Sequence, residues 1–239
     1  MNVMVLGPAG CGKTSLTGRF GAYLREEGYI VKLVNLDPGC LSLPYRCDYD
    51  LRDRFTIEKI MRDEGLGPSG SMVEAMNRLT RVEVPKLEGD FVLIDTPGQL
   101  EVFAFYDSGP KVVERLQDLV GVFIIDAGIG VEDLPAAYLY SLAIRYRLGI
   151  EMVNVINKVD LIEKRNLDKL KAYLTNPAGL GKDMKGKGVL SDIYFPVSEM
   201  LQRVVPAQRI PALSAKTGEG LGELLDLLRE VKCACGDLT

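Results

Sequence analysis

The chain has 239 residues, a net charge of −4 and a pI of about 5.1. Its length suits one α/β domain with insertions, or at most two small domains. A composition of 47% hydrophobic and 26% charged residues allows a buried core and argues against a disordered chain. An acidic chain without histidine has no overall attraction for nucleic acid, no imidazole metal ligand and no imidazole general base.

The five cysteines are odd in number and irregularly spaced, so they do not predict the disulfide framework of a secreted protein. No apolar run approaches the roughly 18 residues of a membrane span. The first predicted strand begins at Asn2, which leaves no room for a signal peptide. We therefore expect a cytoplasmic protein with no membrane contact and no direct nucleic-acid partner.

Short apolar runs alternate with helical patterns along the chain. This alternation predicts an α/β fold of three layers, in which helices cover both faces of a mostly parallel sheet. The predicted strands are 2–6, with the apolar run 3–6, and 31–35, 91–94, 120–125 and 152–156. Clear helical patterns cover 15–27, 135–147 and 222–231. We expect a single domain over residues 1–239, with a lysine- and glycine-rich loop at about 175–190 that is solvated.

The loop after the first strand matches the pattern GxxxxGK[ST] and is followed by a helix. Its glycines allow backbone N–H groups to converge on phosphate oxygens, and the helix N-terminus adds positive potential. We expect Lys13 to reach the β- and γ-phosphates and Thr14 to bind Mg²⁺. The context predicts a P-loop NTPase fold, and the predicted nucleotide-binding residues here are Gly7, Pro8, Ala9, Gly10, Cys11, Gly12, Lys13, Thr14 and Ser15.

Two residues of this loop bear on the class of P-loop protein and on whether the loop carries a reactive thiol. Pro8 stands where the deviant P-loop ATPases carry a second lysine, so that class is disfavoured. We interpret Cys11 as a small filler residue, and the alternative is a redox-sensitive thiol activated by the helix N-terminus.

Asp37 follows the second predicted strand. The carboxylate would face the γ-phosphate edge of the sheet, where it could position or deprotonate water, although a simple Asp-Pro turn is the alternative. A capping box, Ser71 to Glu74, then predicts a helix that starts at Ser71, just after residues 67–69. Its predicted apolar face is Met72, Val73, Met76 and Leu79.

The strand 91–94 ends in Asp95, within the sequence Asp-Thr-Pro-Gly-Gln. Asp95 can hold Mg²⁺, the Gly98 N–H can approach a γ-phosphate, and Gln99 can orient the attacking water. Downstream of a P-loop this combination is a strong indication of triphosphate hydrolysis.

The strand 152–156 is followed by an NKxD sequence, and an SAK sequence comes later. The Asp160 carboxylate can accept hydrogen bonds from guanine N1–H and the exocyclic amine, whereas adenine has no donors there. Asn157 would brace the loop, the Lys158 stem would cover the base, and the SAK backbone could donate to guanine O6. These predicted base-binding residues are Asn157, Lys158, Asp160, Ser214, Ala215 and Lys216.

The order of NLDP, DLRD, GLGPxG, DTPGQLEVF, NKVDL and SAK resembles the GPN-loop GTPases over roughly residues 1–231. The resemblance implies a signal-recognition-type P-loop GTPase that uses GTP, GDP and Mg²⁺ and works as a nucleotide-dependent homodimer. It also implies a GPN-type insertion at about 40–85. In that family a Gly-Pro-Asn loop reaches the partner's phosphates, and here it falls on Gly67, Pro68 and Ser69, with serine in place of asparagine.

The resemblance further implies a role in assembling a protein client. Eukaryotic members serve RNA polymerase biogenesis, while this compact chain looks more like the archaeal members, and its client is unknown. The candidate catalytic residues are Asp37, Gln99, Lys13 and Ser69.

Three other functions stay open. A metal-delivery GTPase would use Cys233 and Cys235 with Cys40 and Cys47. A GTP-binding switch with little hydrolysis would follow if Ser69, which is shorter than asparagine, fails in the trans-acting loop. A small-molecule kinase is disfavoured because it does not need a guanine-selective loop.

Overall fold

The computed structural model describes residues 1–130, 133–175 and 209–236, with five further positions between 196 and 203. For residues 234–236 only the backbone is described. The predicted lysine- and glycine-rich loop lies outside these residues except for its first position.

Among the described residues, six strands form one sheet in the order β3-β2-β4-β1-β5-β6. Every adjacent pair is parallel, which confirms the predicted sheet. The first strand of the chain therefore lies in the middle. The strands are β1 (Asn2–Leu6), β2 (Val31–Asn35), β3 (Tyr49–Asp50), β4 (Phe91–Asp95), β5 (Leu119–Asp126) and β6 (Glu151–Asn157).

Parallel pairing requires long crossovers, and helices lie in four of the five connections between the strands, whereas residues 36–48 between β2 and β3 contain none. Two of the helices, α2 and α6, end at glycines in the left-handed region, Gly65 (φ 66°) and Gly149 (φ 64°). The helices are α1 (Lys13–Glu26), α2 (Ile57–Glu64), α3 (Pro68–Leu79), α4 (Leu100–Phe105), α5 (Ser108–Val113), α6 (Leu134–Leu148), α7 (Lys164–Thr175) and α8 (Leu221–Gly236), with short 3₁₀ segments at Leu51–Asp53 and Val159–Leu161.

The alternation of side chains along β1 divides the interior into two cores. Val3 and Val5 face a core that includes Leu16, Phe20 and Leu24 of α1 and Leu224 and Leu228 of α8. Met4 and Leu6 face the other core, to which α3, α4, α6 and α7 contribute. The three-layer prediction is confirmed. No helix in the described part of the chain is both long enough and apolar enough to span a bilayer.

The predicted capping box at Ser71 is wrong, because α3 begins three residues earlier, at Pro68. Gly67 is the N-cap in extended conformation, and Pro68 suits the first helical position because its φ is preset and its missing N–H would have no helical partner. The Ser71 hydroxyl donates to the Gly67 carbonyl at 2.9 Å from within the helix. Glu74 instead accepts from Arg78 at 2.9 Å. Residues 67–69 thus form the helix start rather than a loop before it.

Candidate nucleotide site at the carboxyl edge of the sheet

The predicted site residues follow strands that end at one edge of the sheet. The P-loop follows β1, Asp37 follows β2, residues 96–99 follow β4 and residues 158–160 follow β6. Because these strands are parallel, their carboxyl ends share that edge, where α/β proteins bind ligands. The fold therefore gathers the separate motifs into one region.

The P-loop presents an anion-binding helix start. Gly12 is the N-cap of α1 and no side chain caps it, and the first turn carries no acidic residue. The first intrahelical bond runs from the Leu16 N–H to the Gly12 carbonyl at 2.9 Å, so the N–H groups of Lys13, Thr14 and Ser15 have no helical partner. Such a helix start is suited to phosphate.

Lys13 lies inside this loop rather than in solvent. Its side chain is buried, and Nζ donates to the carbonyls of Gly7 at 2.7 Å, Pro8 at 3.0 Å and Gly98 at 3.4 Å. The ammonium therefore connects the P-loop to the segment after β4. A phosphate would replace neutral carbonyl acceptors with charged oxygens, which form stronger hydrogen bonds.

Cys11 is a packing residue in this structure. Its side chain is 2% exposed, and burial raises the pKa of the thiol to about 11. A thiol with that pKa is protonated near neutral pH, which argues for the filler interpretation over the redox alternative. The Cys11 carbonyl has a separate role, because it accepts from Asn157 Nδ2 at 2.9 Å.

Asp37 is connected to the Gly98 backbone. Its Oδ2 accepts from the Gly98 N–H at 3.0 Å and its Oδ1 accepts from the Gly39 N–H at 2.8 Å. Burial raises the pKa of Asp37, while those two N–H groups and the Lys13 charge favour the carboxylate. The alternative of a bare Asp-Pro turn does not account for the contact with Gly98.

Asp95 is fully buried at the end of β4. Its Oδ2 accepts from the Tyr45 hydroxyl at 3.1 Å, and its Oδ1 has no hydrogen-bond partner. Burial raises the pKa of Asp95 to about 6, although the Thr14 and Tyr45 hydroxyls favour the carboxylate. A buried carboxylate oxygen without a donor fits Mg²⁺, which prefers hard oxygen ligands, and Thr14 adds a hydroxyl oxygen nearby.

Gln99 is exposed and lines a groove of about 580 Å³. Pro68 lines the same groove, and Ser69 is exposed at the same helix start. The trans-acting segment predicted from the resemblance therefore lies at the rim of a groove that also holds Gln99. The groove is lined further by Pro38, Gly39, Cys40, Leu41, Asp50, Arg52, Asp53, Thr56, Ile57, Glu58 and Met72.

Asn157 braces the base-binding end in two directions. Its Nδ2 donates to the P-loop, as described, and its Oδ1 accepts from the Ala215 N–H at 3.0 Å. Gly12 makes this contact possible: its φ is 100°, and a Cβ there would lie 2.5 Å from Asn157 Nδ2. With the Ala215 N–H engaged, a contact with guanine O6 would fall to the Lys216 N–H, which has no partner among the described residues.

Asp160 and Lys158 are each oriented by one neighbour. The Ser214 hydroxyl donates to Asp160 Oδ1 at 2.6 Å and accepts from the Thr217 N–H at 3.1 Å. Lys158 Nζ lies 2.6 Å from Asp126 Oδ2, so the end of β5 orients the lysine. Asp160 itself is exposed, which leaves its second oxygen accessible to a base.

Tyr45 and Asp126 were not predicted as site residues. Asp126 directly follows the predicted strand 120–125, which pairs with the P-loop strand in the structure, and that position was the signal that could have identified it. Tyr45 gave no such signal, because the loop that carries it has no periodicity and its contact with Asp95 spans 50 positions.

The cysteines do not form a metal site in the described part of the chain. No group of three or more histidine, cysteine, aspartate or glutamate side chains is arranged there to hold a metal ion. Cys40, Cys47 and Cys233 are free thiols, and the side chain of Cys235 lies outside the described residues.

Known proteins with similar sequences cover the whole chain. A family model described as a conserved hypothetical ATP-binding protein matches residues 5–234. The GPN-loop GTPase of Pyrococcus abyssi is 39% identical over 253 residues, with 100% of both chains covered. GPN-loop GTPase 1 of Dictyostelium discoideum is 30% identical over 249 residues, which cover 95% of this chain and 60% of that protein.

A solved structure supports the same grouping. The crystal structure of the Pyrococcus abyssi GTPase in its apo form has a TM-score of 0.86 with this fold at 37% identity, and 98% of each chain is covered. The description of the family model names ATP, whereas these relatives are named GTPases. At this identity and coverage, the chain belongs to the GPN-loop GTPase family.

Proposed function

We propose that the chain binds GTP with Mg²⁺, hydrolyses it to GDP and phosphate, and works as a homodimeric switch that assembles or escorts a protein client. The proposal rests on one observation: the P-loop, the Asp37–Gly98 contact and the Asp160–Ser214 pair all lie at the carboxyl ends of the parallel strands. Phosphate, water and base each have polar partners suited to them along that edge.

Guanine selectivity is supported by the geometry of Asp160. Ser214 occupies one carboxylate oxygen at 2.6 Å and leaves the other to accept from guanine. Bound ATP would bring no donor to that oxygen, and an unpaired charged acceptor is costly. This argument favours GTP over the ATP in the description of the family model.

Thr14 and Asp95 are the residues that would hold Mg²⁺. Bound there, the ion would neutralise charge on the β- and γ-phosphate oxygens. Lys13 would add a second positive charge once its ammonium turns from the carbonyls of Gly7 and Pro8 to phosphate.

Asp37 and Gln99 are proposed to order the attacking water. Asp37 already accepts from the Gly98 N–H at 3.0 Å, which places its carboxylate beside the segment that would meet the γ-phosphate. A carboxylate there can accept a hydrogen bond from water and hold it for attack, while Gln99 has an amide exposed on the same side. The leaving group is GDP, and no covalent intermediate is needed.

The homodimer is proposed from the exposed start of α3. Pro68 fixes the backbone there at low entropic cost, and Gly67 and Gly70 allow close approach to phosphate. Ser69 can donate one hydrogen bond where asparagine could donate two. The nature of the client, with RNA polymerase assembly as one candidate, rests on the family resemblance alone.

Phosphate release from GTP and ATP tests the proposal. The wild type should prefer GTP by about 100-fold or more, since ATP leaves the Asp160 carboxylate without donors. Asp160→Asn should shift the preference toward xanthine nucleotides, because the amide offers a donor where the carboxylate accepted. Lys13→Ala should lose most triphosphate affinity, since a charge-assisted contact contributes roughly 1.5–3 kcal/mol. Equal affinity of the wild type for ATP and GTP would refute the base assignment.

A further inference from the structure

A chain of three polar side chains supports the loop that carries Asp37. Its first member, Asn35, ends β2 and is fully buried. Asn35 Oδ1 accepts from the Asp37 N–H at 3.0 Å, and Nδ2 lies 3.3 Å from the Asp37 carbonyl. One amide side chain thus holds both backbone groups of Asp37.

The second member, Asp50, lies beside Asn35 on the adjacent strand β3. Parallel pairing of β2 with β3 sets Asn35 opposite Asp50, and Asn35 Nδ2 donates to Asp50 Oδ1 at 2.9 Å. β3 has only two residues, so this side-chain bond adds to a short ladder.

The third member, Arg52, closes the chain. Its Nε donates to Asp50 Oδ1 at 3.0 Å and its Nη2 donates to Asp50 Oδ2 at 2.6 Å. This two-point contact fixes the orientation of the guanidinium plane relative to the carboxylate plane. Its Nη1 donates to the Cys40 carbonyl at 3.0 Å. Cys40 follows Asp37 in the sequence, whereas Asn35 precedes it. The three side chains therefore hold the Asp37 loop on both sides of Asp37.

Charge supports the same arrangement. Burial opposes ionisation of Asp50, but hydrogen bonds from Arg52 and Asn35 lower its pKa to about 2, so it stays an acceptor. The Arg52 charge also favours the carboxylate form of Asp37. Arg52 is directed to Asp50 and Cys40 rather than to the Asp37 carboxylate, so its contacts act on the loop backbone.

We infer that Asn35, Asp50 and Arg52 are positioning residues that hold Asp37 for the hydrolytic step. This inference rests on the role proposed above for Asp37. It assigns a task to the arginine and first aspartate of the DLRD sequence. A merely structural clamp would stabilise the pairing of the edge strand β3 but would not act through Asp37.

The test is a double-mutant cycle on the full chain, with kcat, affinity for a non-hydrolysable GTP analogue and melting temperature measured for each variant. Arg52→Gln should lower kcat about 10-fold or more while the analogue affinity stays within about twofold. Combined with Asp37→Ala, it should slow turnover no further than Asp37→Ala alone, because coupled residues are not additive. Arg145→Gln is the matched control: it removes an arginine that pairs with Glu151 at 2.7 Å on β6, at the opposite edge of the sheet from β3, and should leave kcat unchanged.

Two outcomes would overturn the inference. One is wild-type kcat in Arg52→Gln, and the other is an equal further loss when Arg52→Gln is added to Asp37→Ala. If Asp37→Ala itself turns over at the wild-type rate, the proposed role of Asp37 fails, a distinguishable result. Should Arg52→Gln not fold, Arg52→Lys enters the same cycle, since it keeps the charge but loses the two-point contact, and the same expectations hold.

Discussion

At the scale of single residues, Asp95 combines full burial with one unpartnered oxygen. An ionised carboxylate in that position costs free energy unless a cation or donor compensates it. The ordinary pKa of an aspartate is 3.8 and that of Asp95 is raised to about 6, so folding favours the protonated form. The stabilising contribution of this proton is therefore complete below the unfolded value and is lost as pH rises through about 6.

The substitution Asp95→Asn should stabilise the metal-free, nucleotide-free protein above pH 6. The neutral amide removes a buried charge, and a shift from 3.8 to about 6 corresponds to ~3 kcal/mol. The difference in melting temperature between variant and wild type should shrink as pH falls from 6 and be smallest below the unfolded pKa of 3.8, where Asp95 is protonated in both states of the wild type. Melting curves in chelator from about pH 3 to 8 measure this difference, and a difference that does not vary with pH would contradict the assignment.

The sequence predicted those site residues that directly follow apolar strands. Asp95 and Asn157 are the last residues of β4 and β6, and Asp37 comes two residues after β2. Parallel strands bring such positions together whatever the loops do. Tyr45 and the Asn35–Asp50 bond could not be predicted in the same way, because they depend on how a long segment folds back onto the sheet. Single-sequence patterns contain no information about such contacts.

At the scale of elements, helix starts and ends were predicted less well than the helices themselves. The pattern Ser71 to Glu74 is a capping box in form, yet Pro68 can occupy the first turn and starts α3 earlier. The parallel sheet with helices on both faces was predicted from the alternation of strands and helices, whereas the strand order was not predicted. The positions of short elements such as β3 and α5 were not predicted either, since two to six residues carry too little periodicity.

Two glycines in the left-handed region form a matched pair for testing the base-binding end. Gly149 (φ 64°) ends α6, and a Cβ there would meet nothing within 4 Å. Gly220 (φ 75°) precedes α8, and a Cβ there would lie 2.2 Å from the Ala212 carbonyl oxygen. Gly149→Ala should therefore cost only the backbone strain of about 1 kcal/mol, whereas Gly220→Ala should add a clash and cost ~3 kcal/mol.

Denaturant unfolding of the two glycine variants gives the comparison. Gly220→Ala should also weaken GTP binding, because the loop that orients Asp160 through Ser214 lies between Ala212 and Gly220. Equal losses of stability in both variants would show that the clash is relieved elsewhere.

At the scale of the whole molecule, the start of α3 and the groove containing Gln99 are exposed on one side. One subunit could therefore supply residues 67–69 to a neighbour without unfolding any element. The proposed dimer would add polar groups to a phosphate site whose other members come from the sheet edge.

Under the dimer proposal, turnover per subunit should rise with protein concentration until dimers saturate. Ser69→Asn should keep or raise GTP hydrolysis, because asparagine adds donors at that position. Phosphate release across a dilution series, with sedimentation in a GTP analogue, provides the measurement. A chain that stays monomeric with the analogue and still hydrolyses at full rate when dilute would leave a single-subunit GTPase.

The central position of β1 in the sheet also bears on the order in which the nucleotide site can form during synthesis of the protein. β1 precedes the other five strands of this sheet in the sequence, yet it pairs with β4 and β5, which are synthesised much later. Closing such long loops is slow, and contacts distant in sequence delay folding. The P-loop would therefore emerge from the ribosome well before the strands that support it. Under the proposed function, GTP could make its full set of contacts, and so stabilise the fold, only after β6 had joined the sheet and residues 214–216 were in place beside it.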